Sequence, residues 1–184
     1  VHHMHQEGGV WNTWPYDIAH RKPEAIDWWS SYLAVDVRYH KFLQFLFFSQ
    51  WLELKEYANE RGIQVVGDIP IFVAFDSADV WAHPEQFLLD EKGMMTVVAG
   101  VPPDYYSATG QRWGNPHYNW DVMRQENYAW WLSRINHHLQ EFDLLRIDHF
   151  RGLESAWMID AACDTAIDGH WQRMPGDELL GRIR

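Results

Sequence analysis

LLRIDHFRG, residues 144 to 152, is the stretch that decides the fold. Leu144, Leu145 and Ile147 form a short apolar run of the kind that makes a buried strand, interrupted by Arg146 and Asp148 two residues apart. Strand side chains repeat every two residues, so both charges point to one side. Charges are seldom buried without partners, and a guanidinium beside a carboxyl lowers its pKa and keeps it ionised. An anionic carboxylate at a strand end is in the state required of a nucleophile on a sugar carbon. The same residues also fit an ion pair that stitches the strand end to a neighbour.

Composition narrows the classes. The 184 residues are 47% hydrophobic and 22% charged, which describes a globular chain long enough for a real core. Lys plus Arg is 15 against Asp plus Glu 26, a formal charge of −11. Such a surface repels polyphosphates and argues against nucleic acid and anionic membrane as partners. Aromatic residues make up 16%, to be placed either in a core or as ring faces for stacking. Cys163 is the lone cysteine, so there is no internal disulfide, which suits a reducing cytoplasm. No apolar run reaches the roughly 20 residues of a membrane span, and no signal peptide is recognised. Both ends look cut, with Val1 at one and Arg184 inside an amphipathic segment at the other.

Outward from residue 144, the pattern predicts helix and strand in alternation. The His-rich start, Val1 to Gly9, reads as a frayed end, a tag remnant or a weak metal site. Trp11 to Pro15 reads as an aromatic turn and Pro23 to Trp29 as a short helix. His40 to Arg61 carries the strongest helical periodicity, ending at Gly62. Ile63, Val65 and Val66 begin a strand that runs into Gly67-Asp68-Ile69-Pro70, which puts Asp68 at a strand's C-terminal end; an ordinary turn Asp is the plainer reading. Residues 71 to 126 lack long periodicity and read as an excursion subdomain. Asn127 is expected to cap a helix over Tyr128 to Phe142, Trp157 to Ile167 looks loosely helical, and Gly176 to Arg184 begins a further helix. The βα rhythm predicts a parallel sheet in an α/β fold.

Four stretches resemble a known family: FLQFLFFSQW (42 to 51), GDIPIFVAFDSADVW (67 to 81), GVPPDYYSATGQRWGNPHYNWD (100 to 121) and LLRIDHFRG (144 to 152). In order and spacing they are similar to the 4-alpha-glucanotransferases (amylomaltases, disproportionating enzymes) of glycoside hydrolase family 77. The resemblance implies a (β/α)8 TIM barrel in which these 184 residues are a partial catalytic domain around strands 3 and 4, with residues 71 to 126 as an inserted subdomain. It implies retaining transfer of α-1,4-glucan segments between maltodextrin or starch-like chains through a covalent glycosyl-Asp intermediate, without a cofactor or metal. By motif match Asp148 is the nucleophile and Arg146 its charge partner. His149 borders the donor sugar, Asp68 shapes the first donor subsite, and Asp104, Trp113 and Asn115 contact the glucan. Gly100, Gly110 and Gly114 are expected to serve backbone turns. Some family members carry an acidic residue where Ala108 stands.

The family's acid/base Glu belongs to a later strand end that this sequence does not reach. Glu154, Glu178 and Asp160 lie in no matching motif, so the 184 residues alone are expected to be inactive. Two rivals remain from the residues themselves. One is a hydrolase of the alpha-amylase clan, which shares the Arg-x-Asp strand end but not the long third stretch. The other is a non-catalytic glucan-binding protein. A metal site built from His137, His138 and His149 is disfavoured, because adjacent helical His point to different sides.

Overall fold

The structure, a computed structural model, describes residues 9 to 183. The His-rich residues 1 to 8, with the readings attached to them, lie outside the described residues. Helices and strands are mixed, and the chain divides into two compact units, one of Val1–Thr13, Pro70–Leu132 and Ile147–Arg184, the other of Trp14–Ile69 and Ser133–Arg146. No helix among the described residues is long and apolar enough to cross a membrane.

The second unit is built on a helix over Ala34–Asn59, preceded by one over Pro23–Tyr32. The long helix starts six residues before the strongly periodic stretch, because only Leu33 separates it from its predecessor and an established helix extends at one hydrogen bond per residue. Gly62 closes it with φ 71°, which glycine adopts without a Cβ penalty. Trp51 donates its indole N–H to the Glu141 carbonyl at 2.8 Å and packs on Phe142 at 5.6 Å between ring centroids. Asp143 collects the chain ends at this point. It accepts from the Val65 N–H (2.8 Å) and the Asn59 amide (2.7 Å), and these bonds hold its carboxyl below its usual pKa. Beside it, strands β1 (Val66–Pro70) and β4 (Leu144–Asp148) pair in a two-stranded sheet.

Two expectations change here. The 144 to 148 strand forms, yet none of its five residues is buried. A pair of strands covers less apolar surface than a full sheet would. The strand written around Ile63 to Val66 instead runs from Val66 to Pro70, so Asp68 is its middle residue. The long helix likewise buries none of its residues, and Phe45 is 64% exposed. An apolar stripe of this size on a soluble surface binds apolar partners. The isolated 184 residues are therefore expected to enhance the fluorescence of a hydrophobic dye and to scatter light on concentration. A dye signal no higher than that of a well-folded monomer of similar size would contradict the exposure described.

The first unit holds a four-stranded sheet in the order β3-β2-β5-β6, from β2 (Val97–Val101), β3 (Gln111–Pro116), β5 (Ser155–Asp160) and β6 (Gly169–Arg173). Every pairing in this sheet is antiparallel. The hairpin connections over 102 to 110 and 161 to 168 are shorter than the dozen or so residues a parallel crossover needs. Residues 157 to 167, expected to be helical, give most of β5 and a turn. Ala156 and Met158 are buried while Ser155 and Trp157 are less so, and the backbone pairs on both sides. Val98, Ile159 and Ala166 make the core beneath. Tyr118 anchors a second cluster, donating its hydroxyl to the Ile71 carbonyl at 2.6 Å and meeting Phe72, Phe87, Trp130 and Trp131 ring to ring. Much of the aromatic content is thus core.

Asn127 does not cap the helix that follows, which spans Ala129–Glu141. Asn127 and Tyr128 both take left-handed backbone and close the preceding helix, Trp120–Gln125, with Tyr128 N–H donating to the Met123 carbonyl at 2.7 Å. The Gly176 helix forms as expected, over Gly176–Arg182.

Candidate active site

Asp148 is the last residue of β4 and is exposed. The chain turns sharply behind it. His149 adopts φ 52° and ψ 46°, a left-handed conformation that costs a non-glycine residue about 1–2 kcal/mol. The turn is held by the Gly152 N–H, which donates to the His149 carbonyl at 2.8 Å. Burial pushes the His149 imidazole below its ordinary pKa, against the pull of Asp148. Its Nε2 is screened from solvent and has no hydrogen-bond partner among the described residues.

The His149 ring stands edge-on to Trp113, 4.9 Å between centroids at 88°. Phe72 flanks the same indole at 6.4 Å and 53°. Trp113 is 38% exposed and lies in β3, neither buried in the core nor in a loop. The β2–β3 register explains its posture. Val98 pairs with Pro116 and Gly100 with Arg112, so β3 spends extra residues between the two pairs. Gly114 takes φ 77° within this bulge. Bulges of this kind re-aim side chains. Asn115 then donates its amide to the Val73 carbonyl at 2.8 Å, bracing the segment after β1.

Asp104 organises its own loop. Its Oδ1 accepts the backbone N–H groups of Tyr106 and Ser107, both at 2.8 Å. The turn projects Tyr105 and Tyr106, 97% and 92% exposed, into solvent. Sequence reasoning named neither tyrosine, although a Tyr pair behind Pro-Pro-Asp is a usable turn signal.

In the other unit Arg146 grips Asp68 with a two-point fork, Nε to Oδ1 at 3.0 Å and Nη2 to Oδ2 at 2.7 Å. The hydrogen bonds from Arg146 hold the Asp68 carboxyl below its usual pKa. The sequence offered this guanidinium to Asp148. It forks to Asp68 in the middle of β1, a pairing between residues 78 apart that nothing local announces.

Glu178 is committed elsewhere. It accepts a two-point fork from Arg124 (2.8 and 3.1 Å) and the Tyr128 hydroxyl (2.8 Å), and the Arg124 bonds hold its carboxyl below its usual pKa. A cleft of about 640 Å³ lined by Tyr118, Trp120, Arg124, Met158, Met174 and Glu178, among others, includes none of the residues nominated from sequence. His137 pairs with Glu141 at 3.1 Å and His138 with the Arg134 carbonyl at 2.8 Å. Among the described residues no three His, Cys, Asp or Glu are grouped to hold a metal ion.

With this geometry in view, comparison with known proteins gives a consistent result. A family model described as 4-alpha-glucanotransferase matches residues 1–184. The chain is 53% identical over 178 residues to a 4-alpha-glucanotransferase of Thermus thermophilus, covering 96% of this chain and 36% of that one. It is 54% identical over 174 residues to one from Synechocystis, covering 94% of this chain and 34% of the relative. Among solved structures, an amylomaltase from Streptococcus agalactiae in complex with acarbose superposes with a TM-score of 0.93 at 43% identity, covering 98% of this chain and 37% of that chain. The chain thus spans about a third of the length of the curated relatives it matches.

Proposed function

The chain belongs to the 4-alpha-glucanotransferase family, and from that premise we propose that it forms part of an enzyme that transfers α-1,4-glucan segments between maltodextrin or starch-like chains by a retaining route. Asp148 is the nucleophile. A carboxylate oxygen attacks the anomeric carbon, the glycosidic C–O bond breaks, and a covalent glycosyl-Asp forms. The leaving 4-oxygen takes a proton from a general acid. The 4-hydroxyl of a second glucan then gives its proton to the conjugate base of that acid and displaces Asp148, restoring the original anomeric configuration. The observation that carries this reading is the end of β4, where exposed Asp148 leads into the left-handed His149, whose ring meets a half-open Trp113.

Trp113 offers its face to the CH side of a pyranose, and the unpartnered Nε2 of His149 is a polar atom that a sugar hydroxyl would satisfy. Asn115 and Asp104 act through the backbone they hold as well as through any contact with glucan. Asp68 and Arg146 form a charge-paired support for strand β4. The amylomaltase solved with acarbose supports an α-glucan as the ligand class. Residues 71 to 126 are read as an insertion between strands of a (β/α)8 barrel, and the compartment as the cytoplasm.

Retaining transfer needs a second carboxyl about 5–5.5 Å from the first. We assign none among the described residues, and Glu178 is unsuited because Arg124 and Tyr128 occupy it. Maltotriose decides the matter. The full-length protein is expected to convert it to glucose plus longer maltodextrins, while residues 1 to 184 alone leave it intact. Longer products from the 184 residues, or none from the full-length protein, would overturn the assignment.

A further inference from the structure

We propose that Gln111 is the positioning residue that fixes the angle of the Trp113 indole, and so sets how tightly a sugar ring is held; the inference rests on the reading of Trp113 as a glucan platform. Among the described residues, His149, Phe72 and Gln111 contact the indole. His149 and Phe72 touch it edge-on and tilted. Two broad, roughly opposite orientations are open to an aromatic ring about its χ2 bond. The third contact, a directional hydrogen bond to the ring N–H, selects between them. The Trp113 Nε1–H donates to the Gln111 Oε1 at 3.0 Å. In the opposite orientation Nε1 would point away from that oxygen.

The need for such a bond follows from the sheet. Gln111 pairs with Val101 and Arg112 with Gly100, after which the register slips and Gly114 takes φ 77°. Trp113 stands at that slip, on the outer strand of the order β3-β2-β5-β6. It therefore lacks the regular cross-strand neighbours that normally fix a strand side chain. Gln111, two residues earlier and so on the same face, supplies the missing restraint. Gln111 is itself exposed, and burial does not dictate an amide there.

The test is a double-mutant cycle in the full-length protein with maltotriose as substrate. Gln111→Leu is expected to raise KM about three- to tenfold, the scale of one lost neutral hydrogen bond, with kcat changed less than about twofold. Gln111→Glu keeps an acceptor oxygen at the same reach and should return KM to within about twofold of wild type. In a Trp113→Phe background, which has no ring N–H, Gln111→Leu should add nothing. An unchanged KM in Gln111→Leu overturns the proposal. So does a KM rise of the same size in the Trp113→Phe background, since Gln111 would then act on the sugar directly. Wild-type protein that leaves maltotriose unchanged removes the glucan-transfer reading and this proposal together, whereas wild-type transfer with an unaffected Gln111→Leu removes this proposal alone.

Discussion

Asn in place of Asp148 in the full-length protein should reduce transfer from maltotriose by about ten-thousandfold or more, while maltodextrin binding by calorimetry changes little. Losing a nucleophile removes the covalent route, and deletion of such a residue in other enzymes costs about that much or more. Asn nearly matches Asp in shape and keeps one acceptor oxygen, so the surroundings of the strand end need not rearrange. Asp148 is exposed at the tip of β4, and the turn that follows is held by the Gly152 N–H donating to the His149 carbonyl. A variant retaining more than about one per cent of wild-type turnover would be too active for a missing nucleophile, and the role would pass to another carboxylate.

Gly100→Ala is expected to be the most damaging single-methyl change in the sheet. A Cβ at this position would lie 2.1 Å from the Gln111 carbonyl oxygen and 2.6 Å from Ile159 Cδ1. The first of these is backbone and cannot rotate away. β2 is held between β3 and β5, so relief requires one of the two pairings to open. A penalty of about 3 kcal/mol follows, and thermal unfolding should fall by roughly 6–12 °C for a chain of this size. Because β3 also carries Trp113 and Asn115, the same variant should bind maltodextrin more weakly. A melting temperature within about 2 °C of wild type would mean that β2 and β3 are not packed in this register.

Much of the helical content was legible because a helix repeats every 3.6 residues and announces itself over a long window. The stretch around Phe42 to Tyr57 shows it, and so does the helix over Ala129–Glu141. The strand at Asp148 was legible for a different reason, a short apolar run with two charges in step. Trp157 to Asp160, expected to be helical, belongs to a strand over Ser155–Asp160, because a short apolar run fits a strand and a helix equally well until its partners are known. Its partners are β2 and β6, and pairing on both edges overrides local preference. The antiparallel order was hidden likewise, since connection length becomes informative only once both strands are identified.

The nominated residues divide in the same way. Asp148 and His149 are neighbours, so the sequence alone put them at one strand end. Which residues meet them from afar was outside its reach. Arg146 was visible as a cation in step with Asp148, but its fork to Asp68 depends on β1 lying beside β4. Trp113 was visible as an aromatic in a Gly- and Pro-rich stretch, but its perpendicular contact with His149 depends on a bulge at Gly114 that no spacing rule locates. Local hydrogen bonding and side-chain periodicity act between residues a few positions apart, so the sequence by itself determined the helices, the Asp148 strand end and the chemical types on offer. Ring contacts and ion pairs between distant segments form only after those segments have paired, so the posture of Trp113, the partner of Arg146 and the antiparallel sheet were decided by the tertiary structure.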